Sequence, residues 1–567
     1  MSVKRQLSSN ENLNKIPRTT NLITCFEHFS NEIYYEIFDY LDGCSTHKAF
    51  SNLNSRFQQL LTSSKYNLKI SMQDDSTTNV EYICTNVILP NKHRIISIHL
   101  WNTYSIQHFF QHCSIDLSFF RLRSIILYGI SSLQLQVRLA SLTFLPSLHE
   151  FTCYINDNQS QINDIYHRFF QMPSLKYLSL SIPTDDEVNV LKPCDTVEHP
   201  SHIETMIISH KCTIPILTSI LRCTPYIKYL TCQMLIESDN ELTTDVCLSL
   251  PNLTHITMDY CAMRFFKFEA FIKQISSSVK VLKLQHFESQ HYIDPNRWKQ
   301  LVSQNMPYLR KFLVCCTVVT NADFRNNHRN AFIHQLTSKL WIAQTWTIEL
   351  RIANSEMSYL IQKPPLKSVD QKMNSANGMK LSITNHRGIE RITYFRLHFA
   401  PIVRAVRFSD LHISFSKISS YGFTTILESL PNLQSLEVST LPVQQWSTLN
   451  EEDSETLQHI INTNSIKTVR QWMNLDLLHF LIKLCPRMEH FEVNWVEASA
   501  VENLVRVVLM KHATHIRELH YFECCVLNET DALVGQVKKL IDTEKLLSDY
   551  KISQNGNKLS LRWKPSL

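Results

Sequence analysis

A short apolar hexad, L-x-x-L-x-L with other apolar residues standing in for leucine, recurs along the chain at a nearly fixed interval. It begins at Ile95 (IISIHL), Leu122 (LRSIIL), Leu148 (LHEFTC), Leu175 (LKYLSL), Ile203 (IETMII), Ile227 (IKYLTC), Leu253 (LTHITM), Val279 (VKVLKL) and Leu309 (LRKFLV). Successive starts lie 27, 26, 27, 28, 24, 26, 26 and 30 residues apart. A second run begins at Val403 (VRAVRF), Leu433 (LQSLEV), Met488 (MEHFEV) and Ile516 (IRELHY), with a weaker member at Ile466 (IKTVRQ). A period in this range marks a stacked array in which each unit is one supersecondary element. The 567 residues exceed what one closed core usually holds, and an array needs no such core.

Several hexads follow a proline by two residues, as in TFLPSL, QMPSL, SLPNL and ESLPNL. Proline stops a helix and feeds an extended segment. Segments such as TTILESLPNL and LLHFLIKLCPRM have helical spacing, so each unit reads as helix, loop and strand. One unit cannot cover both of its faces; stacked neighbours bury a continuous core between a strand wall and a helix wall. The expected fold is α/β, a leucine-rich-repeat solenoid of horseshoe form with parallel strands on its concave wall. The first run occupies 71–353, and the second, with a C-terminal cap containing LSLRW near Leu559, occupies 395–567. Between them, 354–394 is polar, carries Pro364, Pro365, Gly378 and Gly388, and reads as an exposed insertion. The Asn or Cys usual eight residues after the first leucine is met only at Asn156, Cys261 and Cys524, which predicts irregular loops.

Only 7 glycines occur, about 1% of the chain against a usual share of about 7%. Phosphate-cradling loops and nucleophile elbows need glycine for sharp turns, and no such motif is present. The 56 Lys+Arg against 51 Asp+Glu leave a formal charge of +5, too thin to predict nucleic acid or an anionic membrane as partner. The 16 cysteines are scattered, and the chain opens on polar MSVKRQLSSNENLNK, so reduced thiols and an intracellular setting, cytoplasm or nucleus, are expected. No apolar run approaches the roughly 18 residues of a membrane span.

Residues 1–22 read as a disordered tail. From Cys25 the pattern changes. FEHFSNEIYYEIFDYLDG places Ile33, Ile37, Phe38 and Leu41 on one helical face, with Ser30 to cap the helix and Gly43 to end it. A second short helix through Ala49, Phe50 and Leu53 follows Ser45 and Thr46, and a third carries Phe57, Leu60 and Leu61. Three such helices bury little alone, so an apolar face is left for a partner. Over 23–70 the run from Phe29 to Leu41, followed by Leu53 and Phe57, resembles an F-box, whose pattern is LPxEIxxxIFxYL, then Asp-Leu, Val and Trp. Glu32, Ile33, Ile37, Phe38, Tyr40 and Leu41 match; Phe29-Ser30, Ser45-Thr46 and Phe57 depart.

The resemblance implies a substrate receptor of an SCF-type cullin-RING ubiquitin ligase, docked through a Skp-family adaptor, with the repeats holding an unidentified target protein. By the same resemblance Phe29, Ser30, Ile33, Ile37, Phe38 and Leu41 contact the adaptor, while Leu53 and Phe57 mainly hold the helices together. For the target, strand alternation turns the third, fifth and seventh positions of each hexad frame away from the core. Trp101, Tyr128, Tyr154, Tyr177, Tyr229 and Phe522 are the aromatic anchors so placed.

No catalytic residue, cofactor or metal is expected. His512, His515, His520, Cys524 and Cys525 are metal-ligand types packed closely, but they fit no zinc spacing, and adjacent strand residues face opposite ways. His108 and His112 lack the Glu of a zinc protease, and Cys315 and Cys316 have no recognisable His partner.

Overall fold

The computed structural model describes residues 26, 29–63, 66–73, 77–157, 162–183, 200–237, 248–287, 294–318, 333–334, 337, 347–353, 356–363, 379–385, 395, 399–416, 418–442, 451–472, 474–512, 514–527 and 532–564. The expected tail at 1–22 and most of the loop around Pro364 and Pro365 lie outside these residues. Two compact units are present, one of residues 1–130 with 144–148 and one of 131–143 with 149–567.

The first unit opens with helices α1 (Asn31–Tyr40), α2 (Gly43–Phe50) and α3 (Ser55–Thr62). Strand β1 (Leu68–Met72), helix α4 (Thr77–Ile83), strand β2 (Ile95–Leu100), helix α5 (Thr103–His112) and strand β3 (Ser124–Ile130) follow, and the three strands pair in parallel. β1 was not among the hexads. Its LKISM alternates, burying Leu68, Ile70 and Met72, but no leading leucine announces it.

The second unit alternates strand and helix through α6 (Ser132–Leu142), β4 (Glu150–Ile155), α7 (Ile162–Phe170), β5 (Tyr177–Ser181), β6 (Thr205–Thr213), α8 (Ile214–Cys223), β7 (Tyr229–Ile236), β8 (His255–Ala262), α9 (Phe265–Ile275), β9 (Val281–Phe287), α10 (Pro295–Asn305) and β10 (Lys311–Val318). β4 to β10 pair in parallel, each with the next. Beyond them come β11 (Thr347–Ala353), β12 (Glu356–Lys363), β13 (Lys380–Asn385), α11 (Ala400–Val406), β14 (Asp410–Phe415), α12 (Ser420–Glu428), β15 (Ser435–Thr440), α13 (Glu451–Thr463), β16 (Thr468–Trp472), α14 (Leu475–Leu484), β17 (His490–Glu497), α15 (Ala498–His512) and β18 (Tyr521–Leu527). β11 and β13 to β18 are again parallel. This repeated helix–strand arrangement on a parallel sheet is leucine-rich-repeat-like.

One main-chain device recurs through the second unit. The carbonyl of the second residue in a hexad accepts two consecutive N–H groups, those of the second and third residues of the next hexad. His149 O takes Lys176 N at 2.8 Å and Tyr177 N at 2.9 Å; Lys228 O takes Thr254 and His255; Thr254 O takes Lys280 and Val281; Lys467 O takes Glu489 and His490. Above this staple the first, fourth and sixth hexad residues turn inward, as Leu253, Ile256 and Met258 do. The helices supply the other wall. On α10, fully buried Trp298 meets Phe265 of α9 at 5.2 Å and Phe312 of β10 at 5.0 Å between ring centroids.

Two hexads are corrected by the structure. VRAVRF at Val403 is helical, because Val403 and Val406 also satisfy helical spacing and Pro401 sits in the first turn of α11. The hexad there begins at Phe408, with Leu411 and Ile413 on the strand, and Ser409 O carries the staple to Gln434 and Ser435. At Ile516 the frame moves by three residues. Glu489 O receives His520 N and Tyr521 N, so the hexad starts at Leu519 and Phe522 takes its fourth, inward position.

The segment expected as an exposed insertion also contributes to the sheet. β12 lies antiparallel between β10 and β11, burying Met357, Tyr359 and Ile361, and β13 joins in parallel. Their short alternating runs were hidden by polar neighbours. At the other end α16 (Leu533–Glu544) leads to the hairpin β19 (Tyr550–Asn555) and β20 (Lys558–Trp563), and β20 lies antiparallel on β18.

Two core residues generate predictions. Gln471 fills the sixth hexad position, fully buried, and neither its Nε2 nor its Oε1 has a hydrogen-bond partner. An orphaned buried polar group costs about 1–3 kcal/mol. Gln471→Leu is therefore expected to raise the urea midpoint by the equivalent of roughly 1–2 kcal/mol; a lowered midpoint would show that the amide is satisfied.

Buried His210 is held neutral: its Nδ1–H donates to Lys211 O at 2.9 Å, and its Nε2 accepts from Tyr166 Oη at 2.8 Å. Burial lowers its pKa below the ordinary 6.5, so between the two values the unfolded chain binds the extra proton. Stability from this residue is complete above about pH 6.5 and falls on acidification, by up to about 1.4 kcal/mol per pH unit. Denaturation curves at pH 7 and pH 5 are expected to diverge less for His210→Gln than for the parent.

Candidate functional site

The three leading helices are fixed by caps and by an aromatic core. Asp42 starts α2, its Oδ1 accepting from Cys44 N at 2.8 Å and Ser45 N at 3.1 Å. The second helix thus begins at Gly43, earlier than the Ser45-Thr46 boundary expected, because aspartate is among the strongest cap residues. Space at Gly43 is also tight: a Cβ there would sit 3.0 Å from Leu68 Cδ2 and 3.2 Å from Lys69 O. Asn54 caps α3 by accepting from Phe57 N at 3.0 Å. Arg56 ties the start of α1, donating to Phe29 O at 2.6 Å and Asn31 Oδ1 at 2.8 Å. Ser30 stands at the cap position of α1 but its side chain makes no cap bond.

Tyr34 and Phe38, one turn apart on α1, are the inward pair. Tyr34 meets Phe57 edge-on at 5.0 Å, Phe38 meets Phe50 at 5.0 Å and Tyr66 at 5.2 Å, and Phe50 meets Phe57 at 5.3 Å. Tyr66 Oη donates to Phe38 O at 3.2 Å, which fastens the end of α1. Buried Arg94, just ahead of β2, donates to Leu61 O at 2.7 Å and Ser63 O at 2.5 Å. It satisfies carbonyls that the end of α3 leaves without helical partners.

The expected division of roles among the F-box-like residues is changed in two places. Phe38 is 0% exposed and belongs to the core, so it offers no surface to an adaptor. Leu53 is 59% exposed and does not hold the helices together. Phe57 is buried as expected. Phe29, Ile37 and Leu41 are half-buried, Ser30 is exposed, and Ile33 is 40% exposed. The reason is that Tyr34 outcompetes Ile33 for the inward face: Tyr34 and Phe38 form the i, i+4 pair, leaving Ile33 and Ile37 as a second pair beside it.

Of the six aromatic anchors, Trp101 is exposed and stacks on half-buried Tyr128 at 4.9 Å and 12° in the first unit. In the second unit Tyr154 and Tyr177 are half-buried, and exposed Tyr229 packs on His255 at 4.5 Å. Phe522 is corrected to the core by the shifted frame, at 1% exposure. Sequence reasoning passed over a further exposed pair, Trp472 and Trp495, with centroids 6.2 Å apart. Trp472 borders a cleft of about 530 Å³ lined also by Phe415, Leu441, Pro442 and Leu477. Trp472 is the seventh residue of the weak hexad and was legible; Trp495 reaches it from a left-handed backbone, φ 60°, inside a break in the β17–β18 register.

Two of the cysteine candidates, Cys316 and Cys524, are buried. Burial pushes the Cys524 thiol up to about 12 and raises the Cys316 thiol well above its ordinary value, whereas reactivity requires a thiolate. His512 is buried and its Nε2 accepts from Trp563 Nε1 at 3.3 Å, so the clustered ligand types near the C-terminal cap do not converge as a set. Among the described residues no helix is long and apolar enough to cross a membrane.

The inward and outward residues of α1 are separable by mutation. Phe38→Ala is expected to cost about 3–5 kcal/mol in chemical denaturation, as buried aromatic truncations do. Ile33→Asp is expected to stay within about 0.5 kcal/mol of the parent, as substitutions away from the core do. Equal losses from both would place Ile33 in the core.

No protein-family description matches the chain, and no curated protein does. Among solved structures, one matching chain comes from the crystal structure of the Rad7 and Elc1 complex in yeast, at 10% identity over 82% of this chain and 87% of that one, with a TM-score of 0.23. At that TM-score the likeness carries no argument about this chain.

Proposed function

We propose that the chain is a non-catalytic substrate receptor of an SCF-type cullin-RING ubiquitin ligase, its leading helices an F-box that docks a Skp-family adaptor and its repeats the surface that holds a target protein. The observation that carries the reading is the state of the helical module. Its interior is complete, filled by Tyr34, Phe38, Phe50, Phe57 and Tyr66, yet it keeps Ile33, Tyr40 and Leu53 exposed. Apolar side chains outside a finished core are free to enter a partner's surface. Their segment is also the one whose sequence resembles an F-box.

The repeats fit the second half of the role. The aromatic pairs Trp101–Tyr128 and Trp472–Trp495, together with Tyr229 on His255, are the residue types that anchor protein interfaces. Holding a target so that its lysines meet a charged ubiquitin carrier is catalysis by proximity and needs no reactive side chain in this subunit.

The test is co-purification from cell lysate of the full chain and of an Ile33→Asp, Leu53→Asp variant, with bound proteins identified by mass spectrometry. Both positions are exposed, so the variant is expected to fold. Adaptor and cullin recovered with the parent and lost from the variant are the expected result. Their absence from both would leave the repeats as a binding scaffold with no ligase role.

A further inference from the structure

We propose that Glu489, His490 and His520 form a site for one divalent zinc ion, joining the last two hexads of the array. This inference is independent of the ligase reading. One ligand atom from each of the three residues lies within 4.8 Å of the others, and the two imidazoles meet edge to face with centroids 5.0 Å apart. They are 30 residues apart in sequence, which is why a search for short ligand spacings does not pair them.

The main chain fixes this meeting. Glu489 and His490 donate their N–H groups to Lys467 O at 2.8 and 3.0 Å, and Glu489 O in turn receives His520 N at 3.1 Å and Tyr521 N at 3.3 Å. The second and third positions of neighbouring hexads are thereby held in register, so only side-chain torsions need adjust. Tetrahedral zinc bonds of about 2.0–2.1 Å bring ligand atoms to about 3.3 Å from one another.

The hydrogen bonding of His520 suits a metal ligand. His520 Nδ1 lies 3.0 Å from Glu518 O, and a carbonyl can only accept, so Nδ1 donates to it and Nε2 is the ring nitrogen left to face an ion. This is the outer-shell contact that orients metal-bound histidines.

The neighbouring cations are engaged elsewhere or shared. Arg470 donates to Glu492 at 2.8 Å, Arg562 lies over the Tyr521 ring, and Lys467 binds Glu489 Oε1 at 2.7 Å. Glu489 has a second carboxylate oxygen for the ion. Two imidazoles and one carboxylate without a thiolate suit zinc better than calcium or magnesium.

The experiment uses the full chain stripped with chelator and titrated with ZnCl2 by calorimetry, then with CoCl2 by absorption. The parent is expected to bind one equivalent of zinc and to give cobalt d–d bands with no sulfur-to-cobalt charge-transfer band. His490→Ala, His520→Ala together are expected to weaken binding more than about ten-fold, and Glu489→Gln to weaken it less. A milder His490→Asn variant guards against loss of fold, which circular dichroism of the metal-free proteins checks. No binding by the parent, unchanged binding by the folded variants, or a thiolate charge-transfer band assigning the ion to cysteine would each overturn the site.

Discussion

The two-donor staple between successive hexads is the contact on which the array depends. A carbonyl has two lone pairs, and here both serve the next strand, so each repeat is set in register by its predecessor. His149, Glu204, Thr254 and Ser409 all stand in this position, and what they share is the geometry of the backbone, not a side-chain type. With that origin set, period-two alternation sends the fourth and sixth residues inward and the third and fifth outward. The apolar core is thus a consequence of register, and degenerate hexads survive in it. Even Gln471, a polar residue at an inward position, is carried into the interior by the staple on either side of it.

This explains how much of the fold was legible. The nine hexads from Ile95 to Leu309 are strong because their three inward residues are buried one after another, from Ile95, Ile98 and Leu100 to Leu309, Phe312 and Val314. Reading failed where apolar residues fitted more than one periodicity. Val403 and Val406 satisfy a helix as well as a strand. The IRELHYFEC stretch contains two overlapping frames, and only the hydrogen bonds to Glu489 O select the second, so Phe522 changed sides. Side-chain pattern alone does not contain that choice.

The helical module was legible in its elements and not in its faces. Six aromatic or aliphatic residues between Phe29 and Leu41 compete for one inward stripe on a ten-residue helix. Tyr34 takes it with Phe38 because Phe50, Phe57 and Tyr66 provide edges and faces for aromatic rings, a preference that counting hydrophobic positions does not express. Nor does the pattern reveal a meeting between residues as distant as His490 and His520, which depends on two strands being in register.

The hairpin that closes the second unit has a consequence for how the chain reaches its native state. A parallel stack has an unpaired ladder at its advancing edge, and each new strand both covers that edge and presents another. β20 reverses direction on β18, and Lys558 bonds Glu523 across 35 residues of sequence at 2.7 Å. While the chain is being synthesised, β18 therefore stays open until that stretch has emerged, and for this interval it offers a row of free backbone donors and acceptors to any strand nearby.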